Sequence, residues 1–175
     1  MISNGAAHGA ETFAANSDIT YTFPGTKFTT EKLSMRWTDG NGPSRPDATR
    51  AQLPEGAGLP GAGSFLVGEK GVMIIPHWSM PSFYANGAPL AVEIQGRESK
   101  NHYHEWSDAC RGEGETSTPF SYSAPLTEAV LVGTLAGAMP GQELEWNADG
   151  TSLGDPKLDA LLGRSYREGW EVAGL

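Results

Sequence analysis

The chain has 175 residues, 38% apolar and 19% charged, with 21 acidic side chains against 12 basic ones and a net charge of −9. That length suits one compact domain with a hydrophobic core and is short for two. Its Lys and Arg residues are scattered singly, so an acidic surface repels polyanions at long range, which argues against nucleic acid and anionic membrane as partners.

The 23 glycines and 12 prolines predict many turns and long connections rather than a helical bundle. Cys110 is the one cysteine, which rules out an intrachain disulfide and a cysteine zinc site and fits a reducing compartment. The first nine residues lack the basic and apolar regions of a signal peptide. Cytoplasm is therefore the default expectation, and a periplasmic or exported location would need a signal ahead of residue 1.

In chain order, residues 1–17 are small and polar and read as a flexible segment, with a single domain over 18–175. Asp18–Phe23 and Lys32–Trp37 alternate apolar with polar residues and predict an antiparallel pair with one buried face. Residues 40–62, rich in Gly, Pro, Asp and Arg, form a long excursion of the kind that is often functional. Gly63–Val67 and Val72–Pro76, around Gly68-Glu69-Lys70-Gly71, are the clearest hairpin. Short strands are expected at Ser82–Tyr84, Leu90–Ile94 and Leu144–Trp146.

From Asn101 to Arg111, Tyr103, Trp106 and Cys110 mark one face of an amphipathic helix that Gly112 ends. Pro125 suits a first helical turn, and Leu126–Met139 reads as a buried core helix, too short to span a bilayer. Gly133 and Gly137 would let another element approach its backbone. Asp155-Pro156 opens a last helix through Leu158, Leu161 and Leu162, and Ser165–Trp170 is a surface tail. Strands first and helices later predict an α+β fold: an open, mostly antiparallel sheet with helices packed on one face.

Four segments in this order and spacing carry a family resemblance. They are Phe65–Gly71; Asn101-His102-Tyr103-His104-Glu105-Trp106-Ser107-Asp108-Ala109-Cys110-Arg111-Gly112; Pro125–Gly133; and Tyr166-Arg167-Glu168-Gly169-Trp170. Together they resemble the C-terminal domain of Gfo/Idh/MocA oxidoreductases in their planctomycete-type bacterial variant, over residues 11 to 171. The resemblance implies an open sheet with helices on one face and a subunit interface on the other. It also implies a place beside a Rossmann domain that binds NAD or NADP, and hydride transfer to or from a sugar or polyol.

The departures shape the expectation for this chain. No G-x-G-x-x-G turn stands between a strand and a helix, so no cofactor-binding residues are assigned. The family's Glu-Lys-Pro segment is absent, since Gly68-Glu69-Lys70-Gly71 lacks the proline, and its Asp and His pair would fall upstream of residue 1. No catalytic residue is assigned either. The chain is expected to be inactive alone and to bind no nicotinamide, which belongs to a full-length relative.

His102 and His104 on a helix point in different directions and cannot share an ion; His104 and Asp108 could, but without a second cluster no metal site is assigned. Cys110 reads as a small hydrophobe rather than a nucleophile. Glu128 reads as a first-turn acid favoured by the helix dipole. Trp37, Arg45, His77 and Trp78, at strand ends and in loops, are the candidate substrate-binding residues, because sugar sites combine aromatic faces with a few hydrogen-bonding groups.

The expected role is thus the substrate-side and oligomerisation domain of an NAD(P)-dependent oxidoreductase acting on a sugar- or polyol-like compound. The alternative is a free-standing, non-catalytic domain of the same fold that binds a sugar or a protein. A metal-dependent hydrolase or isomerase would need a carboxylate–histidine cluster that is not visible. The main reading and the free-standing alternative both predict a homo-oligomer formed through the open sheet face.

Overall fold

Alternating apolar and polar residues build the first sheet in a computed structural model that describes residues 1–9, 12–40, 53–96, 100–147, 152–163 and 165–172. Strand β2 (Asp18–Pro24) pairs antiparallel with β3 (Lys32–Thr38) in one unbroken register, Ile19 opposite Trp37, Tyr21 opposite Met35 and Phe23 opposite Leu33. Opposite residues share a face, so these six side chains form one apolar surface and Asp18, Thr20, Ser34 and Arg36 lie on the other.

Strand β1 (Ile2–Ser3) pairs with the other edge of β2. It lies in the segment expected to be flexible, yet Ser3 is buried. The Met1 amine donates to the Leu144 carbonyl at 2.6 Å, the Leu144 amide returns a bond to Met1 at 2.7 Å, and the Gly141 amide donates to Ser3 at 2.7 Å. Residues 141–144 thereby tie down the start of the chain, although only the Ile2–Glu143 bridge stands for the strand expected at Leu144–Trp146.

The second sheet follows the order β4 (Gly63–Gly68), β5 (Gly71–Pro76), β6 (Ser82–Ala85), β7 (Ala88–Pro89), antiparallel throughout. Gly68 faces Gly71 across a two-residue loop, as the hairpin reading required in outline. Asn86 and Gly87 join β6 to β7 with φ of 51° and 74°, the left-handed pair that a tight hairpin turn demands. That turn sends the chain back at Ala88, and the strand expected at Leu90–Ile94 does not form.

Helix α1 (His102–Cys110) starts at Asn101, whose side chain accepts from the amides of Tyr103 and His104, and stops before Gly112 in the left-handed region. Helix α2 (Phe120–Ala136) begins one and a half turns ahead of the expected start: Pro119 occupies its N-terminal boundary and Pro125 lies inside it. Helix α3 (Pro156–Asp159) is a single turn capped by Asp155, with Leu158 buried but Leu161 and Leu162 exposed.

The fold is α+β with open antiparallel sheets. The chain divides into two compact units, Met1–Pro43 with Asn101–Leu175, and Ser44–Lys100. The first unit's core joins Ile19 and Tyr21 of β2 to Val132 and Ala136 of α2, with Leu144, Leu153 and Leu158 closing it. The second unit's core is smaller: Leu53, Val72 and Ile74, flanked by Ala57, Leu59, Phe65 and Tyr84.

Close approach explains how α2 docks. A Cβ at Gly133 would overlap the Tyr21 hydroxyl, and one at Gly137 would stand 2.6 Å from His8 Nε2. The two glycines thus admit neighbouring side chains against the helix backbone, as their spacing predicted.

Candidate functional site

Helix α2 covers only the β2 part of the apolar face. Beyond Ile19 and Tyr21, which are buried, Leu33, Met35 and Trp37 on β3 stay open to solvent, Trp37 to 47%. The helices expose apolar side chains as well. Tyr103 on α1 is 73% exposed and Phe120 on α2 79%, while Trp106, Tyr122, Leu126 and Leu131 are exposed as well.

This corrects two packing expectations. Helix α1 forms with the expected ends, but no residue of it is buried, and its aromatic face does not seal a sheet. Helix α2 is apolar, but it is buried only over its last turns, at Val132, Gly133 and Ala136. A face's periodicity says which side chains seek cover; it does not supply the covering element.

Of the four candidate substrate-binding residues, Trp37 stands near the end of β3 in the first unit, while His77 and Trp78 follow β5 in the second. Arg45 lies outside the described residues. The His77 amide donates to the Ala62 carbonyl at 3.4 Å, extending the β4–β5 pairing by one bond, and Trp78 is 96% exposed. An indole presented so fully has its whole face free for stacking on a sugar ring.

Asp39, which accepts the Trp37 indole N–H, lines a pocket that sequence reasoning missed. Ser3, His8, Phe13, Asn16, Asp39 and Gly137 are among its walls, and it encloses about 140 Å³. Asp39 accepts the Ser17 amide at 2.7 Å through Oδ1 and the Trp37 indole N–H at 3.3 Å through Oδ2. Asn16 Oδ1 accepts the Ala6 amide, and His8 and Phe13 meet edge to face at 5.2 Å. Sites for organic ligands usually enclose about 300–1,000 Å³. This cleft is less than half the lower figure, and the described contacts of Asn16 and Asp39 serve its own walls. No sequence motif spans these residues, because they come from an irregular segment, a strand end and a helix C-terminus.

The strongest polar contact lies on the other face of the sheet. Arg36 reaches Asp18 through Nε at 2.7 Å and Nη2 at 2.9 Å. These hydrogen bonds hold the Asp18 carboxyl below its ordinary range against the opposing effect of burial, and raise the guanidinium. Burial pushes the Tyr21 phenol up. Both are structural effects within the sheet.

The remaining candidates are engaged elsewhere or open. Asp108, considered with His104 for a metal, forms an ion pair with Arg111, which also bonds Glu113. Among the described residues no group of three or more His, Cys, Asp or Glu is arranged to hold an ion. Cys110 is exposed rather than packed. Glu128 is not a first-turn acid, because the helix starts eight residues earlier; its Oε1 accepts the Trp146 indole N–H at 2.6 Å. Among the described residues no helix is long and apolar enough to cross a membrane. No protein family, curated protein or solved structure matches the chain.

Proposed function

We propose that this chain is the substrate-side and oligomerisation domain of an NAD(P)-dependent oxidoreductase of the Gfo/Idh/MocA type, acting on a sugar- or polyol-like compound, and that it is inactive alone. The four-segment resemblance gives this reading its content. The observation that carries it is the uncovered aromatic and aliphatic surface of α1, α2 and β3, where Tyr103, Trp106, Phe120 and Leu131 face solvent. Apolar surface on this scale marks an interface. It is what a domain exposes when its function requires other domains and subunits to pack against it. Trp37 and Trp78, with Arg45 and His77 as hydrogen-bonding groups, are the residues proposed to meet the sugar. The nicotinamide binds on the Rossmann half.

The alternative, a free-standing sugar- or protein-binding domain, is favoured by the nearly complete exposure of Trp78, which needs no second domain to stack on a ring. Titration with NADH and NADPH, read by the fluorescence of the five tryptophans, tests the main reading. No binding up to millimolar cofactor is the expected result. Saturation at micromolar cofactor would reveal a nucleotide site in this chain and overturn the reading.

A further inference from the structure

Strand β3 ends its sheet, since the order is β1-β2-β3 and its inner edge is taken by β2. All seven of its residues are exposed. Leu33, Met35 and Trp37 alternate along it with Lys32, Ser34, Arg36 and Thr38. The outer edge of such a strand carries a row of N–H and C=O groups that templates another strand. Natural edges are blunted by proline, by bulges or by charges set along them. β3 contains no proline, its seven-residue register with β2 is unbroken, and the Arg36 guanidinium is turned back onto Asp18.

We propose that β3 pairs antiparallel with β3 of a second copy, about a two-fold axis through Met35. This register sets Lys32 opposite Thr38, Leu33 opposite Trp37, Ser34 opposite Arg36, and Met35 opposite itself. The apolar row of one copy continues into that of the other, and no two like charges face directly. Shifting by one pair in either direction keeps the apolar row but sets Lys32 opposite Arg36, or Arg36 opposite Arg36. Odd shifts place apolar residues opposite polar ones on the same face, and a parallel pairing in register aligns Lys32 with Lys32. Like charges directly opposite are destabilising, so the charges of β3 select the self-complementary register. Asp39, just past the strand, is held back by Ser17 and Trp37 and leaves the pairing at Thr38.

The pairing joins two three-stranded sheets into one of six strands, and doubles the open apolar face that Leu33, Met35 and Trp37 begin. It uses the edge of the sheet and leaves the face open, so it is distinct from an association through that face and rests on the strand alone. A nicotinamide site found by titration would overturn the functional reading and leave this inference standing.

Sedimentation of the full chain from micromolar to a hundred micromolar is expected to give twice the mass of one chain at the upper end. Met35→Lys and Met35→Glu each place two like charges on the axis and remove the Met–Met contact, and each is expected to weaken the dimer about tenfold or more. Mixed together, the two variants are expected to form a heterodimer, seen by native mass spectrometry, that is tighter than either homodimer. A single-chain mass throughout, a dimer indifferent to both charges, or folded variants that do not combine would each overturn the proposal. Hydrogen exchange on the unmodified chain decides it even if the variants fail to fold. The amides of residues 32–38 must slow with concentration while those of β5 do not, and concentration-independent exchange along β3 overturns the pairing.

Discussion

Asp18 and Arg36 meet through two parallel hydrogen bonds, the geometry in which a guanidinium binds a carboxylate best. The two ends differ in surroundings, with the Asp18 side chain 8% exposed and that of Arg36 38%. The carboxylate is therefore the partner that suffers if the pair is broken. With its folded pKa held below the unfolded value of about 4, Asp18 contributes stability that is complete above pH 4 and is lost as pH falls through the folded pKa. Solvent at the arginine end reduces the contribution, which should be about 1–2 kcal/mol at pH 7. Arg36→Ala leaves a desolvated carboxylate whose pKa rises, so its pH dependence reverses sign and favours the acidic side. Urea unfolding of the two proteins should differ by that amount at pH 7, and the gap should shrink toward pH 3. A gap that stays constant from pH 7 to 3 would show that the pair is not the cause.

At the scale of elements, α2 is attached through its last turns, and Gly133 is the point of closest approach. Alanine there improves helix propensity by about 1 kcal/mol, but its Cβ runs into the Tyr21 hydroxyl, and Tyr21 is locked in the core between Ile19 and the helix. Overpacking costs about 1–3 kcal/mol and should win, so Gly133→Ala is expected to destabilise by about 1–2 kcal/mol. Tyr21→Phe removes the nearest clashing atom but leaves Cζ 2.6 Å from the added Cβ, so in the double variant it should recover part of the loss. A double-mutant cycle in thermal unfolding reads this coupling, and strict additivity would place the clash elsewhere. The contact was legible in sequence, because two glycines four apart on an apolar helix leave a flat backbone. The strands of both hairpins were legible too, Asp18–Phe23 from its period of two and Val72–Pro76 as one of two short apolar runs around a turn with Gly at both ends. The start of α2 was not. Pro119 and Pro125 both satisfy the rule for a helix start, and the helix runs through the second, so Glu128 moved from the first turn to the third. Asn86-Gly87 carried a turn signal that explains why residues 90–94 form no strand, and its weight exceeded that of the apolar run after it.

At the scale of the whole molecule, long-range placement escaped the sequence. Alternation identifies strands but not which sheet they enter, and the two hairpins belong to different compact units. Trp37 therefore belongs to one unit and His77 and Trp78 to the other, residues grouped only because each follows or ends a strand. The N-terminal strand was invisible for another reason: two residues have no period, and its hold comes from bonds to residues 141–144, far along the chain. The division also bears on stability. Among the described residues, seven buried hydrophobic residues form the core of the first unit and three that of the second. The Ser44–Lys100 unit is about half the length of the other, and the smaller a unit, the smaller the share of its surface that folding buries, so its total stability should be the lower of the two. It should open on its own while the first unit stays folded. The comparison is fairest between strands central to their sheets, β2 against β5, at a protein concentration too low for pairing between copies. Native-state hydrogen exchange is expected to show the amides of Val72–Ile74 exchanging at least about tenfold faster than those of Ile19–Tyr21, corresponding to a gap of about 1.4 kcal/mol or more in opening free energy. Equal protection in the two strands would mean that the units unfold as one cooperative body.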